Sequence, residues 1–143
     1  MIAVDTNILV YAHRRDSRWH VPAIQTIESL ATGRDAWAIP WPCVHEFYAI
    51  ATHPRIYAPP STPAQAMAQL RAWRGSPSLT LLAEDDAYWP VLESMIERSR
   101  LIGPAIHDAR IAALCLRHGA QELLTADRDF SRFPALTTRN PLI

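Results

Sequence analysis

A chain of 143 residues is long enough to bury one sizeable core and too short for two, so one domain spanning residues 1–143 and one site are expected. Apolar residues make up 49% and charged residues 20%, a balance that excludes extensive disorder, and no apolar run reaches the roughly 18 to 20 residues of a membrane helix. The formal net charge is +0 and all 14 basic residues are Arg, so no bulk basicity advertises nucleic acid, although Arg suits bidentate phosphate contacts.

The chain opens MIAVDTN, with an acid at position 5 where a signal peptide would be basic, which points to the cytoplasm. Ile2-Ala3-Val4 reads as a strand that stops at Asp5, and Thr6-Asn7 supply polar groups for capping a helix. A second helix begins around Pro22, carries Ile24, Ile27 and Leu30, and ends at Gly33. Ala36 to Ile39 gives a brief strand. Pro40 and Pro42 then bracket the start of a helix through Val44, Phe47 and Ala51 to about His53, with Glu46 in its middle. The Pro- and Ser-rich stretch 54–63 is a loop, and Ser61 or Thr62 caps a helix carrying Ala66, Leu70 and Trp73 up to Gly75.

Leu79 to Ala83 is a third strand, and Glu84-Asp85-Asp86 places negative charge where the next helix, with Trp89, Leu92, Met95 and Ile96, begins. Gly103-Pro104 opens an unusually apolar helix through Ala109, Ala112 and Leu116, closed by Gly119. Glu122 to Thr125 is a strand, Asp127 to Phe133 a loop or single turn, and Leu136 to Thr138 a last short strand. Strands alternating with helices of this length imply an α/β fold: a central, mainly parallel sheet flanked by helices on both faces. In such sheets ligands bind beyond the carboxyl ends of the strands.

That rule selects acids. Asp5 ends the first strand and Asp127 follows the last long one, so both belong to one edge of the sheet; Asp108 lies in the first turn of the apolar helix and Glu46 inside a largely apolar one. Four carboxylates in one partly buried site would repel each other and protonate unless a cation compensated. Hard oxygen donors without clustered His or Cys suit Mg²⁺, with Mn²⁺ as a substitute, and the chemistry implied is phosphodiester hydrolysis. Drawing four acids into one pocket leaves ten against 14 arginines elsewhere, a modestly basic rim compatible with a polyanion. No P-loop, nucleophile elbow or Gly-rich dinucleotide turn occurs.

In order and spacing, VDTNILVYA, the mid-chain PCVHEFYAIA, HDARIAALCLRHGA and the closing LLTADRDFSRFP resemble the four acidic motifs of PIN-domain ribonucleases, from residue 2 to about 134. A lone compact domain of this size resembles the VapC toxins of type II toxin–antitoxin systems. The resemblance implies a metal-dependent endoribonuclease with Asp5, Glu46, Asp108 and Asp127 as its acidic quartet, of which Asp5 and Asp108 would be the surest ligands. Asn7 and Thr125 match polar positions beside the site, and Asp129 could share the fourth acidic role with Asp127. It further implies an RNA substrate, a VapB-like antitoxin and a homodimer, with the helical segments 20–32 and 62–75 offering part of the antitoxin groove.

Trp19, beside Arg14, Arg15 and Arg18, is the best aromatic candidate for an RNA or partner contact, whereas Trp37 and Trp89 are expected in the core. Cys43 and Cys115, outside any Cys-x-x-Cys pattern, are expected as free buried thiols. The six histidines show no zinc-ligand spacing. Two other functions fit parts of the pattern: a haloacid-dehalogenase-like phosphatase, which normally needs a second Asp where this chain has Asn7, and an inert PIN domain that only binds RNA or an antitoxin.

Overall fold

The computed structural model describes all residues, 1–143. Five strands, β1 (Ile2–Val4), β2 (Trp37–Pro40), β3 (Leu79–Leu82), β4 (Glu122–Leu124) and β5 (Thr138–Arg139), form one sheet in the order β3-β2-β1-β4-β5. Every pairing is parallel. The helices are α1 (Thr6–His13), α2 (His20–Thr32), α3 (Trp41–Ala51), α4 (Pro63–Arg74), α5 (Tyr88–Ser99) and α6 (Ala105–Arg117), with a 3₁₀ turn at Arg128–Arg132. None is long and apolar enough to cross a membrane.

The chain progresses outward from β1 through β2 to β3, then returns to the other side of β1 for β4 and β5. The carboxyl ends of β1 and β4 therefore flank the point where strand order reverses, the crevice in which open parallel sheets hold ligands. Central strands of a sheet covered on both faces must be apolar throughout. All four residues of β2 are buried accordingly, as are Ala3, Val4, Leu123 and Leu124.

The helices follow from their ends and stripes. Thr62 caps α4 through a reciprocal capping box with Gln65. The apolar helix α6 buries Ala109, Ile111, Ala112, Ala113, Leu114 and Cys115, and its small residues allow close approach to the sheet. Phe47, Trp37 and Phe130 are the largest fully buried side chains.

Two expectations shift. Trp89 is exposed at 57%, not core: in α5 the buried positions are Tyr88 and Met95, and residue 89 sits one 100° step off that stripe. The last strand is Thr138–Arg139, because Leu136 turns into the core and the ladder to β4 begins two residues later. Glu84 and Asp85 stand where α5 begins, as expected: Asp85 accepts from Tyr88 N at 3.0 Å and pairs with Arg117, while Glu84 pairs with Arg110.

Candidate metal centre

The site is assembled from the ends of β1 and β4 and the sides of α3 and α6. At Asp5 the backbone leaves the sheet, its N–H still donating to Leu124 O at 2.9 Å, and the side chain caps α1 by accepting from Thr6 N at 2.7 Å. The other carboxylate oxygen, Oδ2, accepts from the Thr125 hydroxyl at 2.7 Å and from Asn7 Nδ2 at 3.4 Å. The Cys43 thiol completes the shell, donating to Asp5 Oδ1 at 3.7 Å. Asp5 is thus buried but supplied with donors on both oxygens.

Asn7 and Thr125 tie the two strand ends together. Asn7 Oδ1 accepts from Ala126 N at 3.2 Å, and Thr125 Oγ1 accepts from Asp127 N at 3.0 Å. Asp127 in turn caps the 3₁₀ turn, accepting from Asp129 N at 2.8 Å. On the opposite side the Thr6 hydroxyl donates to Glu46 Oε2 at 2.6 Å, fixing a carboxylate in the middle of α3.

Two groups of donor atoms result. Asp5, Cys43 and Glu46 can each bring one atom within 4.8 Å of the others, and Asp108, Asp127 and Asp129 do the same. The groups act on each other through their charges: Asp108 bears on Asp5, and Glu46 on Asp108. Burial pushes the Asp5 carboxyl up to about 6 against the pull of its Thr125 and Thr6 hydrogen bonds, and the charges of Glu46 and Asp108 push it further. Asp108 is raised by burial first and then by Asp127, with Arg132 the cation that offsets this. Cys43 lies so deep that burial holds its thiol far above the usual range, so sulfur stays protonated.

The four acids of the quartet, with Asn7, Thr125 and Asp129, thus come from four stretches of the chain and form two groups, Asp5 with Glu46 and Asp108 with Asp127 and Asp129, coupled through their charges. Asp127 is half-buried and Asp129 exposed. The basic cluster does not join them. At the far end of α1, about 12 Å along the helix axis, Arg14 pairs with Asp16 at 2.6 Å, donates to Pro59 O at 3.0 Å and lies 4.2 Å over the Tyr57 ring, so its guanidinium is occupied in holding the 53–62 loop. Arg18 stacks on Trp19 at 4.5 Å, and Arg15 is exposed.

Thr6 and Cys43 were not among the sequence-derived site residues. Thr6 is adjacent to Asp5 in a segment already assigned to capping, and the pattern gave a signal only for its hydroxyl, not its target. Cys43 stands one helical turn before Glu46, the same face of α3, which is the clue that places it beside the acids.

A parallel α/β sheet with acids gathered beyond its strand ends is an arrangement able to hold a divalent cation. The PIN domain model matches residues 2–136. Ribonuclease VapC43 of Mycobacterium tuberculosis is 32% identical over 142 residues, covering 99% of this chain and 96% of the relative. Among solved structures, VapBC2 from Rickettsia felis bound to a promoter DNA fragment superposes with a TM-score of 0.67 at 24% identity, covering 98% of each chain. A toxin–antitoxin complex from Klebsiella pneumoniae gives 0.61 at 19%, covering 99% of this chain and 98% of the other. The chain belongs to the PIN-domain family, with the VapC ribonucleases as its relatives.

Proposed function

We propose that residues 1–143 form one PIN domain acting as the toxin of a type II toxin–antitoxin pair, an endoribonuclease that hydrolyses RNA phosphodiester bonds at the pocket of Asp5, Glu46, Asp108 and Asp127. One observation carries this reading: two acidic groups, Asp5 with Glu46 and Asp108 with Asp127, are coupled through their charges, and burial with mutual repulsion raises both Asp5 and Asp108. Such a cluster is an unbalanced negative site that a divalent cation would neutralise.

The donor set fits Mg²⁺, with Mn²⁺ as substitute. Every accessible donor is a carboxylate oxygen, and the one sulfur is a protonated thiol with no exposed surface. Bound there, the ion would supply a Lewis acid and a water far more acidic than bulk solvent. Asp5 and Asp108 are the principal ligands in this reading, and Glu46 and Asp127 complete the cluster, with Asp129 able to share the fourth position. Asn7 and Thr125 hold Asp5 in one orientation, and Thr6 does the same for Glu46. Asp108 receives no hydrogen bond that lowers its pKa, so its lone pairs stay free for a cation.

The partners follow the same reading: an RNA substrate, a VapB-like antitoxin and a second copy of the chain, in the cytoplasm. Helices α2 and α4 wall a groove of about 680 Å³, a place for an antitoxin segment. The test is cleavage of labelled RNA with Mg²⁺ by the wild type and by Asp5→Asn and Asp108→Asn. Loss in both variants, each folded by circular dichroism, is expected; retained cleavage in both rejects the assignment.

A further inference from the structure

A second groove, of about 580 Å³, lies between α5 and the segment that follows the 3₁₀ turn. Its floor includes Met95, Leu116 and Phe133, and two arginines, Arg98 and Arg132, line it. None of its eleven lining residues is Asp or Glu. Of the 14 arginines in the chain, Arg14, Arg110, Arg117 and Arg139 are paired with carboxylates, whereas Arg98 and Arg132 are not.

The groove begins at the acidic pocket. Arg132 Nε donates to Asp129 O at 3.1 Å, and Asp129 is one of the two acids grouped with Asp108. The Arg132 charge also acts on Asp108. Ser99 Oγ donates to Arg132 O at 3.3 Å, joining the end of α5 to the turn, so the two walls of the groove are pinned together beside Arg98.

We propose that this groove is a nucleotide subsite: Arg98 and Arg132 hold the phosphodiester next to the one that is cleaved, and the apolar floor takes the adjoining base. This rests on the ribonuclease reading above. A pocket of carboxylates repels a polyanion, so the strand needs cations where the acids end. Unpaired guanidinium groups match phosphate oxygens in a planar fork. The groove's volume is that of ordinary ligand pockets, and apolar or aromatic floors are where proteins seat splayed RNA bases. A second protein chain fits less well, because it would bury two unpaired charges.

The test uses the full-length chain, Mg²⁺ and a fluorescein-labelled 12-nucleotide single-stranded RNA, with kcat and KM measured from low to moderate KCl. Arg98→Ala, whose position lies away from the acids, is expected to raise KM roughly tenfold with kcat held within about twofold. Arg98→Glu is expected to raise KM further. The slope of log(kcat/KM) against log[KCl] should become shallower by about 0.7 for each arginine removed, in Arg98→Ala and again in the double variant with Arg132→Ala. Unchanged KM and slope in both Arg98 variants would overturn the subsite while leaving the nuclease assignment intact. A change of mass by light scattering with an unchanged slope would also overturn it, making the groove an interface between copies. Absence of RNA cleavage by the wild type would sink the ribonuclease reading itself.

Discussion

The Thr6 hydroxyl donates to Glu46 Oε2 at 2.6 Å, so the residue that follows the first acid fixes the second acid, forty positions away. Thr6 is buried and Glu46 half-buried, which makes this contact hard to replace with water. Removing the hydroxyl leaves a carboxylate free to rotate away from the pocket.

Thr6→Val should therefore cost about 1 kcal/mol of stability, lower Mn²⁺ affinity by roughly tenfold and reduce cleavage, whereas Thr6→Ser should retain most of both. Isothermal calorimetry with Mn²⁺ separates positioning from simple packing. Equal affinities for wild type and Thr6→Val would refute the role.

Asp108 differs from Asp5 in having no supporting donors. Asp108→Asn should abolish cleavage, by at least about a hundredfold, and should leave the metal-free protein as stable as the wild type or more so, since repulsion from Asp127 is gone. Asp5→Asn should lose activity together with stability, because its amide nitrogen would face either the Thr6 and Cys43 donors on Oδ1 or the Thr125 and Asn7 donors on Oδ2. Thermal melts in EDTA distinguish the two; identical losses of stability would contradict this asymmetry.

Burial pushes Asp5 up to about 6, so the folded protein keeps its proton across pH 4 to 6, where the unfolded chain has released it. Metal-free stability should fall as pH rises through that window, by on the order of 3 kcal/mol from Asp5, and Asp108 adds to the same sign. Asp16 and Asp85, held low by Arg14 and Arg117, lose their contribution only in stronger acid. The Tm in EDTA should be higher at pH 5 than at pH 7.5, and Mg²⁺ or Mn²⁺ should raise it more at pH 7.5 than at pH 5. A Tm in EDTA that rises from pH 5 to 7.5 would count against a compressed acidic pocket.

Asn7 bridges the ends of β1 and β4 through Asp5, Thr125 and Ala126 N. Asn7→Ala should cost about 1–2 kcal/mol. Asn7→Asp keeps the acceptor for Ala126 but sets a second charge 3.4 Å from Asp5 Oδ2, so in EDTA it should melt below Asn7→Ala and recover with Mn²⁺. The reverse order in EDTA would show that the contact is not electrostatic.

The layers of the fold were legible because parallel strands and covering helices leave different periodicities, and Asp5, Asp108 and Asp127 stood out because strand ends and helix starts are marked by where apolar runs stop, whereas Glu46, in the middle of α3, carries no such mark. Asp5 and Asp127 illustrate this: each follows a short buried strand, and the pairing of β1 with β4 makes them neighbours. That pairing itself has no local signature, since nothing within Leu123-Leu124 says which strand it lies beside. The misplacement of Trp89 has a similar cause, because residues 88 and 89 are equally apolar and only the packing of α5 on α6 decides which turns inward. Arg14 looked free in a basic run, yet its partners at Asp16, Tyr57 and Pro59 depend on how a distant loop folds back.

The central pairing of β1 with β4 carries a consequence for biosynthesis. Asp5 leaves the ribosome early and Asp127 near the end, and although β1 can pair with β2 beforehand, the ladder between β1 and β4 forms only once both strands have been made. A nascent polypeptide holding three of the four acids still lacks the strand that anchors Thr125 and Asp127 against Asp5. The acidic site is thus assembled only when translation has run almost to its end.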